Sequence, residues 1–267
     1  MSYTNYYPSS GMFHVSMPLL MGTRMDVLLF GDDRQRLETF WEHAEPELKR
    51  MERMLNRFDP ASETAKINNE AAFSTVGLSD ELWRILLDCR RYYEGTDGYF
   101  DVTWSDFDKI VFMEESHSIS FEKYGMMLDF GGYAKGYALK ILRKRLDDAG
   151  IKRALINFGN SAVLALGAHP YGDSWPIGIE DPVTGAPLAT LNLCDSCLSV
   201  SGNMPSNKEH IVNPKTAERV IGNEMTAIVS DDPVDAETLT TAWIASENKN
   251  IPDWMMKFNL KKTYRIK

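Results

Sequence analysis

Asp129-Phe-Gly-Gly-Tyr-Ala-Lys135-Gly-Tyr-Ala-Leu-Lys140 sets a glycine pair between an apolar, strand-like stretch and a run in which Ala134, Ala138, Ile141, Leu142 and Leu146 share one spacing. Returns every three to four residues predict a helix from about Tyr133 to near Gly150. The free N–H groups and dipole of such a helix start favour an anion, and glycine lets a phosphate come close. Lys135 adds a full positive charge in the first turn. The stretch is neither a GxGxxG nor a P-loop, so a phosphate site and a plain turn both fit it.

On the N-terminal side, Arg24 to Phe30 reads as a strand. It is followed by a helix marked by Leu37, Phe40, Trp41, Ala44, Leu48, Met51 and Leu55, with Pro46 placed to kink it. Another helix begins at Ser79, with Asp80 and Glu81 in its first turn and Leu82, Ile85, Leu86 and Cys89 on one face; Gly95 or Gly98 ends it. Beyond Gly150 come short apolar runs, Ala154 to Phe158, Ala162 to Leu166 and Ala227 to Ser230, separated by Gly, Pro, Asn and Asp. These are strands, and a last helix spans Val234 to Glu247. Helices early and strands late predict an α+β fold with mixed or antiparallel sheets and packed helices, not repeated βαβ units. We divide the chain into an N-terminal extension, residues 1–19, and a single domain, residues 20–267.

Composition narrows the function. The 267 residues are 43% hydrophobic, enough for a sizeable core. A net charge of -9 and a pI near 5.1 argue against a broad nucleic-acid surface while leaving room for a small basic pocket. No stretch of about 18 apolar residues predicts a membrane span. No basic segment leads into an apolar run near Met1, so a cytoplasmic location is the expectation. Cys89, Cys194 and Cys197 are odd in number and do not form a disulfide framework. The Cys194-x-x-Cys197 pair lacks a second pair or close histidines to complete a metal set, and its Leu191, Leu193, Leu198 and Val200 neighbours read as strand.

Around the glycine pair stand further segments in a fixed order. They are Leu20-Met-Gly-Thr23, Asn56-Arg-Phe-Asp-Pro-Ala-Ser-Glu63 with Asn68, Gly98-Tyr-Phe-Asp-Val-Thr103, Ala154-Leu-Ile-Asn-Phe-Gly159, Trp175 with Asp181-Pro182, Ser201-Gly202, and His210-Ile-Val-Asn-Pro-Lys-Thr216. Together with Asp129 to Tyr137 they resemble, from about residue 20 to 245, the ApbE family of magnesium-dependent enzymes that transfer FMN from FAD to a protein. The resemblance implies an ApbE-like, T-fold-related architecture. It also implies FAD as substrate and Mg2+ as cofactor.

The resemblance assigns residues as well. Met21, Phe58, Tyr99, Phe100 and Asp101 would line the flavin-nucleotide pocket, Asp129 and Lys135 would contact FAD, and His210 and Val212 would lie near the dinucleotide. Read without the resemblance, Phe58 is a core residue, Asp101 part of a turn, His210 structural as readily as catalytic, and Glu237 a surface carboxylate. Val234-Asp-Ala-Glu-Thr-Leu-Thr-Thr-Ala-Trp243 corresponds to a family segment in which an Asp and a Thr four residues later bind magnesium. Glu237 and Thr241 occupy those positions on one helix face, with the Gly132 carbonyl as a further ligand.

Departures from the pattern are specific: Glu237 for aspartate, Asn160 where Gly-Gly-Asp is common, Ala217 for glycine, and Lys140 where aspartate is frequent. The implied reaction moves FMN to a Ser/Thr hydroxyl of an acceptor protein with release of AMP. Glu237, His210 and Lys135 would be the catalytic residues. The alternatives are an FAD pyrophosphatase giving FMN and AMP, and a non-catalytic FAD-binding protein.

Overall fold

The computed structural model describes residues 2–181, 184–202, 211–222 and 224–266. The chain opens with three strands, β1 (Tyr3–Tyr7), β2 (Met12–Leu20) and β3 (Thr23–Phe30), joined as antiparallel neighbours. Phe13, Val15 and Met17 point inward while His14 and Ser16 do not, the period of two that a half-buried strand requires. Residues ahead of position 20 thus continue the main sheet.

Helix α1 (Arg34–Leu55) starts where the Asp33 side chain accepts the Arg36 N–H, and runs on through Pro46. The short α2 (Glu63–Glu70) is capped by Ser62, whose Oγ accepts the Ala65 N–H at 2.8 Å. Next come β4 (Val76–Gly77) and α3 (Asp80–Gly95), capped by Ser79. Strands β5 (Ile110–Met113) and β6 (Ser118–Phe121) join β4 in a small sheet of order β4-β6-β5. Helix α4 (Ala134–Asp148) follows the glycine pair.

The second half is strand-rich. It contains β7 (Ala154–Phe158), β8 (Ala162–Leu166), β9 (Trp175–Glu180), β10 (Pro187–Leu193), β11 (Ser196–Gly202), β12 (Val212–Asn213), β13 (Glu218–Arg219) and β14 (Met225–Ser230). Helix α5 (Pro233–Ala245) and β15 (Leu260–Ile266) complete it. The main sheet is antiparallel throughout, in the order β1-β2-β3-β7-β8-β11-β14-β15. Two ribbons, β9 with β10 and β12 with β13, stand apart from it. The fold is α+β with antiparallel sheets, as expected.

Strand β8 is buried at every position because both faces of the sheet are covered. Ala162, Leu164 and Leu166 pack toward α1 and α4, and Val163 and Ala165 toward the β9–β10 ribbon. Helix α5 is buried on nearly all sides, between α4 and strands β11 and β14. Its threonines answer that burial by bonding inside the helix: Thr238 Oγ1 donates to Val234 O at 2.7 Å and Thr240 Oγ1 to Ala236 O at 2.9 Å. Among the described residues, no helix is long and apolar enough to cross a membrane.

Candidate functional site

Two helices meet at their N-terminal halves through a glycine. A β-carbon on Gly136 would stand 2.7 Å from Pro233 O, 2.8 Å from Glu237 Cβ and 3.0 Å from Val234 Cα. Only glycine lets α4 lie this close to α5, and the contact brings Lys135 to Glu237. Lys135 Nζ donates to Glu237 Oε1, and Ser199 on β11 donates to Oε2 at 2.7 Å. Glu237 is buried, so the lysine is its charge partner and the serine holds its second oxygen.

One turn further along α5, Thr241 Oγ1 donates to Glu237 O at 3.1 Å, which leaves its lone pairs available as acceptors. Thr241 also lies against the glycine pair: a β-carbon on Gly132 would sit 3.2 Å from Thr241 Oγ1. Among the described residues no backbone N–H is bonded to the Gly132 carbonyl. The Gly132 main chain, whose carbonyl no described backbone N–H binds, the Thr241 hydroxyl and the Glu237 carboxylate therefore lie together at the start of α4. These are hard oxygen donors, the kind that suit Mg2+, and the residues present fit that ion. Among the described residues no group of three or more His, Cys, Asp or Glu side chains is placed to hold a metal ion.

The start of α4 is fixed from several directions. Tyr133 Oη donates to Asp88 Oδ2 at 2.8 Å, and Asp88 is also held by Arg91 at 2.9 Å. Tyr92 Oη donates to Asp235 Oδ1 at 2.6 Å, which ties α3 to α5. Burial pushes the Asp235 carboxyl above its ordinary range and both tyrosine hydroxyls well above theirs. The strand-like approach to Asp129 is gripped by Asn68, whose side chain accepts Leu128 N–H at 2.7 Å and donates to Leu128 O at 3.0 Å. Ser62 and Glu63 of the same motif are structural too, since Glu63 accepts the Ser79 N–H at 2.5 Å and the Ser79 hydroxyl at 2.8 Å.

Asp129 Oδ1 accepts the Gly131 N–H at 2.8 Å, and Oδ2 lies 2.8 Å from Arg57 Nε. That ion pair has too poor an angle for a hydrogen bond, so the buried Arg57 Nε has no hydrogen-bond acceptor among the described residues. The Arg57 guanidinium also lies 4.1 Å from the ring centre of Phe58 and 5.1 Å from that of Trp104. Phe58, a core residue on its spacing alone, is 77% exposed, so its ring is free for stacking. The sequence assigns no site role to Arg57, one cation inside the Asn56–Glu63 segment, or to Trp104. Trp104 carried a signal only as a bulky residue two positions after a buried valine, and its φ of 74° is visible only in the structure.

Other predicted residues are placed as follows. Met21, at φ 48°, turns the chain between β2 and β3, and its N–H donates to Glu52 Oε1 at 2.7 Å. Phe100 is buried under Gly132, and Tyr99 lies beside the Lys215 ammonium at 5.6 Å. Asp101 does not present a free carboxylate: Oδ1 accepts Thr103 N–H and Oγ1–H, both at 2.6 Å, and Oδ2 accepts Phe107 N–H at 3.3 Å. Burial raises its pKa against those bonds. Val212 lies in β12, paired with Arg219. His210 and Pro182 lie outside the described residues.

The departures from the family pattern have local explanations. Lys140 Nζ donates to Asp232 Oδ2 at 2.6 Å, and Asp232 Oδ1 caps α5 by accepting Val234 N–H at 2.9 Å. Asn160 and Asn157 close a turn with paired amide bonds at 2.9 and 3.2 Å. Ala217 has φ 57°, the left-handed region that glycine adopts freely. Cys194 is exposed in the turn between β10 and β11, and Cys197 is buried in β11.

The fold and site together define an α+β protein in which a glycine-rich helix start, a lysine and a set of hard oxygens converge at one place. The chain belongs to the ApbE family, whose sequence profile matches residues 21–111 and 103–263. It is 28% identical over 149 residues to an FAD:protein FMN transferase of Rhodobacter capsulatus, covering 53% of this chain and 28% of that protein. It is 25% identical over 192 residues to one of Klebsiella pneumoniae (strain 342), covering 67% and 58%. The match to one of Chlamydia muridarum is 23% over 250 residues, covering 79% and 77%. The chain thus spans less than two thirds of the length of the first two. In solved structures, the fold is similar to an ApbE protein of Thermotoga maritima (TM-score 0.79, 20% identity, 92% of this chain and 89% of that one). It is also similar to the flavin transferase ApbE of Vibrio cholerae (TM-score 0.76, 17% identity, 88% and 87%).

Proposed function

We propose that the protein is a Mg2+-dependent FAD:protein FMN transferase that moves FMN from FAD to a Ser/Thr hydroxyl of an acceptor protein and releases AMP. The observation that carries this reading is the convergence of Lys135, Glu237 and Thr241 with Gly132 at the start of α4. The names of the three relatives support the substrate, and the family membership supports the transfer.

The pyrophosphate of FAD lies against the N–H groups opening α4, with the Lys135 ammonium beside its oxygens. Arg57 and the exposed Phe58 ring border the flavin end. The Gly132 carbonyl, Glu237 and Thr241 would hold Mg2+, which when bound would supply positive charge toward the phosphoryl oxygens. The acceptor hydroxyl oxygen bonds to the FMN phosphorus, and the bridging P–O bond breaks with its electron pair on AMP. The hydroxyl proton passes to a nearby carboxylate or to His210, which the resemblance places among the catalytic residues.

The test is AMP release from FAD with and without an acceptor polypeptide bearing a reactive threonine. Release that requires both Mg2+ and the acceptor supports transfer. Release without acceptor favours hydrolysis, and failure to bind FAD sinks the reading.

A further inference from the structure

We infer that Lys135 is an exchangeable counter-ion of Glu237: it holds the carboxylate oxygen that a divalent cation takes, while Ser199 keeps the other oxygen in place. The inference rests on the metal assignment of the functional reading but concerns side chains that the reading left in fixed roles. The Glu237 side chain is only 4% exposed and that of Lys135 18%. Both carboxylate oxygens are engaged, Oε1 by Lys135 and Oε2 by the Ser199 hydroxyl at 2.7 Å. An ionised carboxylate oxygen can only accept, so the Ser199 hydroxyl proton is committed to Glu237.

A cation on Gly132 and Thr241 therefore meets a carboxylate already neutralised by an ammonium. Two cations on one buried oxygen repel strongly in a medium of low dielectric, so one must leave. The backbones cannot give way, because Gly136 is wedged against Pro233 O and Glu237 Cβ. The flexible lysine stem can swing, and the serine-anchored carboxylate stays. Once displaced, the Lys135 ammonium is free to meet a phosphate oxygen of the dinucleotide. In this arrangement Ser199 is a positioning residue, acting through Glu237.

Two measurements test the exchange without FAD. In the first, Mn2+ affinity is read by electron paramagnetic resonance for wild type, Lys135→Gln and Lys135→Gln/Ser199→Ala. Removing the competing ammonium is expected to tighten Mn2+ at least tenfold, and removing the serine anchor to reverse at least fivefold of that gain. Equal or weaker binding by Lys135→Gln overturns the exchange, and an unchanged double variant overturns the role of Ser199. The second uses unaltered protein, so that a folding defect in a variant cannot mask the outcome. Amine-reactive labelling of Lys135, read by peptide mass spectrometry, is expected to rise at least threefold when Mn2+ is added. Lys144 and Lys152, 73% and 75% exposed, should not change. Labelling of Lys135 that is unchanged or falls overturns the exchange. Absence of Mn2+ binding in every form overturns it together with the metal assignment, whereas FMN transfer, measured separately, can stand while the exchange fails.

Discussion

Gly136→Ala should loosen the joint that assembles the site. The new methyl carbon would stand 2.7 Å from Pro233 O and 2.8 Å from Glu237 Cβ, where ordinary contact begins at 3.4 Å. Helices α4 and α5 must therefore part by about 0.7 Å, the difference between 3.4 and 2.7 Å. In an open helix, alanine for glycine would stabilise by about 1 kcal/mol. Overpacking of this kind costs about 3 kcal/mol, the upper end of the usual range, where the opposing atoms belong to backbone, so we expect a net loss of about 2 kcal/mol. That corresponds to a fall in melting temperature of a few degrees, roughly 2–4 °C per kcal/mol in a domain of about this size. The effect on turnover should be larger, since a misplacement near 1 Å can cost about a hundredfold. The assays are calorimetric melting and FMN transfer on the same preparation. A variant that melts at or above wild type with unchanged transfer would refute the close approach of α4 and α5.

Three further substitutions probe the scaffold. Tyr133→Phe removes the hydroxyl on Asp88 and should lower stability by about 1–2 kcal/mol, seen as a reduced urea midpoint at constant slope. Ala217→Gly should raise stability by about 0.5 kcal/mol, because relief of the left-handed backbone slightly outweighs the added freedom of the unfolded chain. Burial pushes the Cys197 thiol up to about 12, against about 8.5 for a free thiol. The stability it contributes is fully present below about pH 8.5 and is lost as pH rises toward 12, by at most about 1.4 kcal/mol per unit. Urea midpoints between pH 8 and 10.5 should therefore fall more steeply for wild type than for Cys197→Ala, and parallel slopes would contradict the assignment.

Helices α1, α3 and α4 were legible because their apolar residues recur over several turns, and the starts of α1 and α3 also carry the capping residues Asp33 and Ser79. Helix α2 was not: in Glu63–Glu70 only Ala65 and Ile67 are buried apolar residues, too few to show a period. Strand β2 did carry its signal, in the alternation of Phe13, Val15 and Met17, but the polar and aromatic residues of β1 obscured it. The glycine pair and Lys135 were visible as an anion site, and the helical spacing of Glu237 and Thr241 as one face. Their meeting was not visible, since Lys135 and Glu237 are 102 residues apart and are joined by a tertiary crossing at Gly136. Ser199 gave no signal at all, being one small residue among several in a buried strand. Asp101 shows the reverse case, where a motif carboxylate proves to be engaged in its own turn.

The most direct test of the account is the intact mass of an acceptor polypeptide carrying a reactive threonine after incubation with the protein, FAD and Mg2+, with Glu237→Ala in parallel. The account predicts an FMN-sized gain on the acceptor with wild type and none with the variant. No gain with wild type, under conditions where FAD is bound, would contradict transfer; an equal gain with Glu237→Ala would contradict the site.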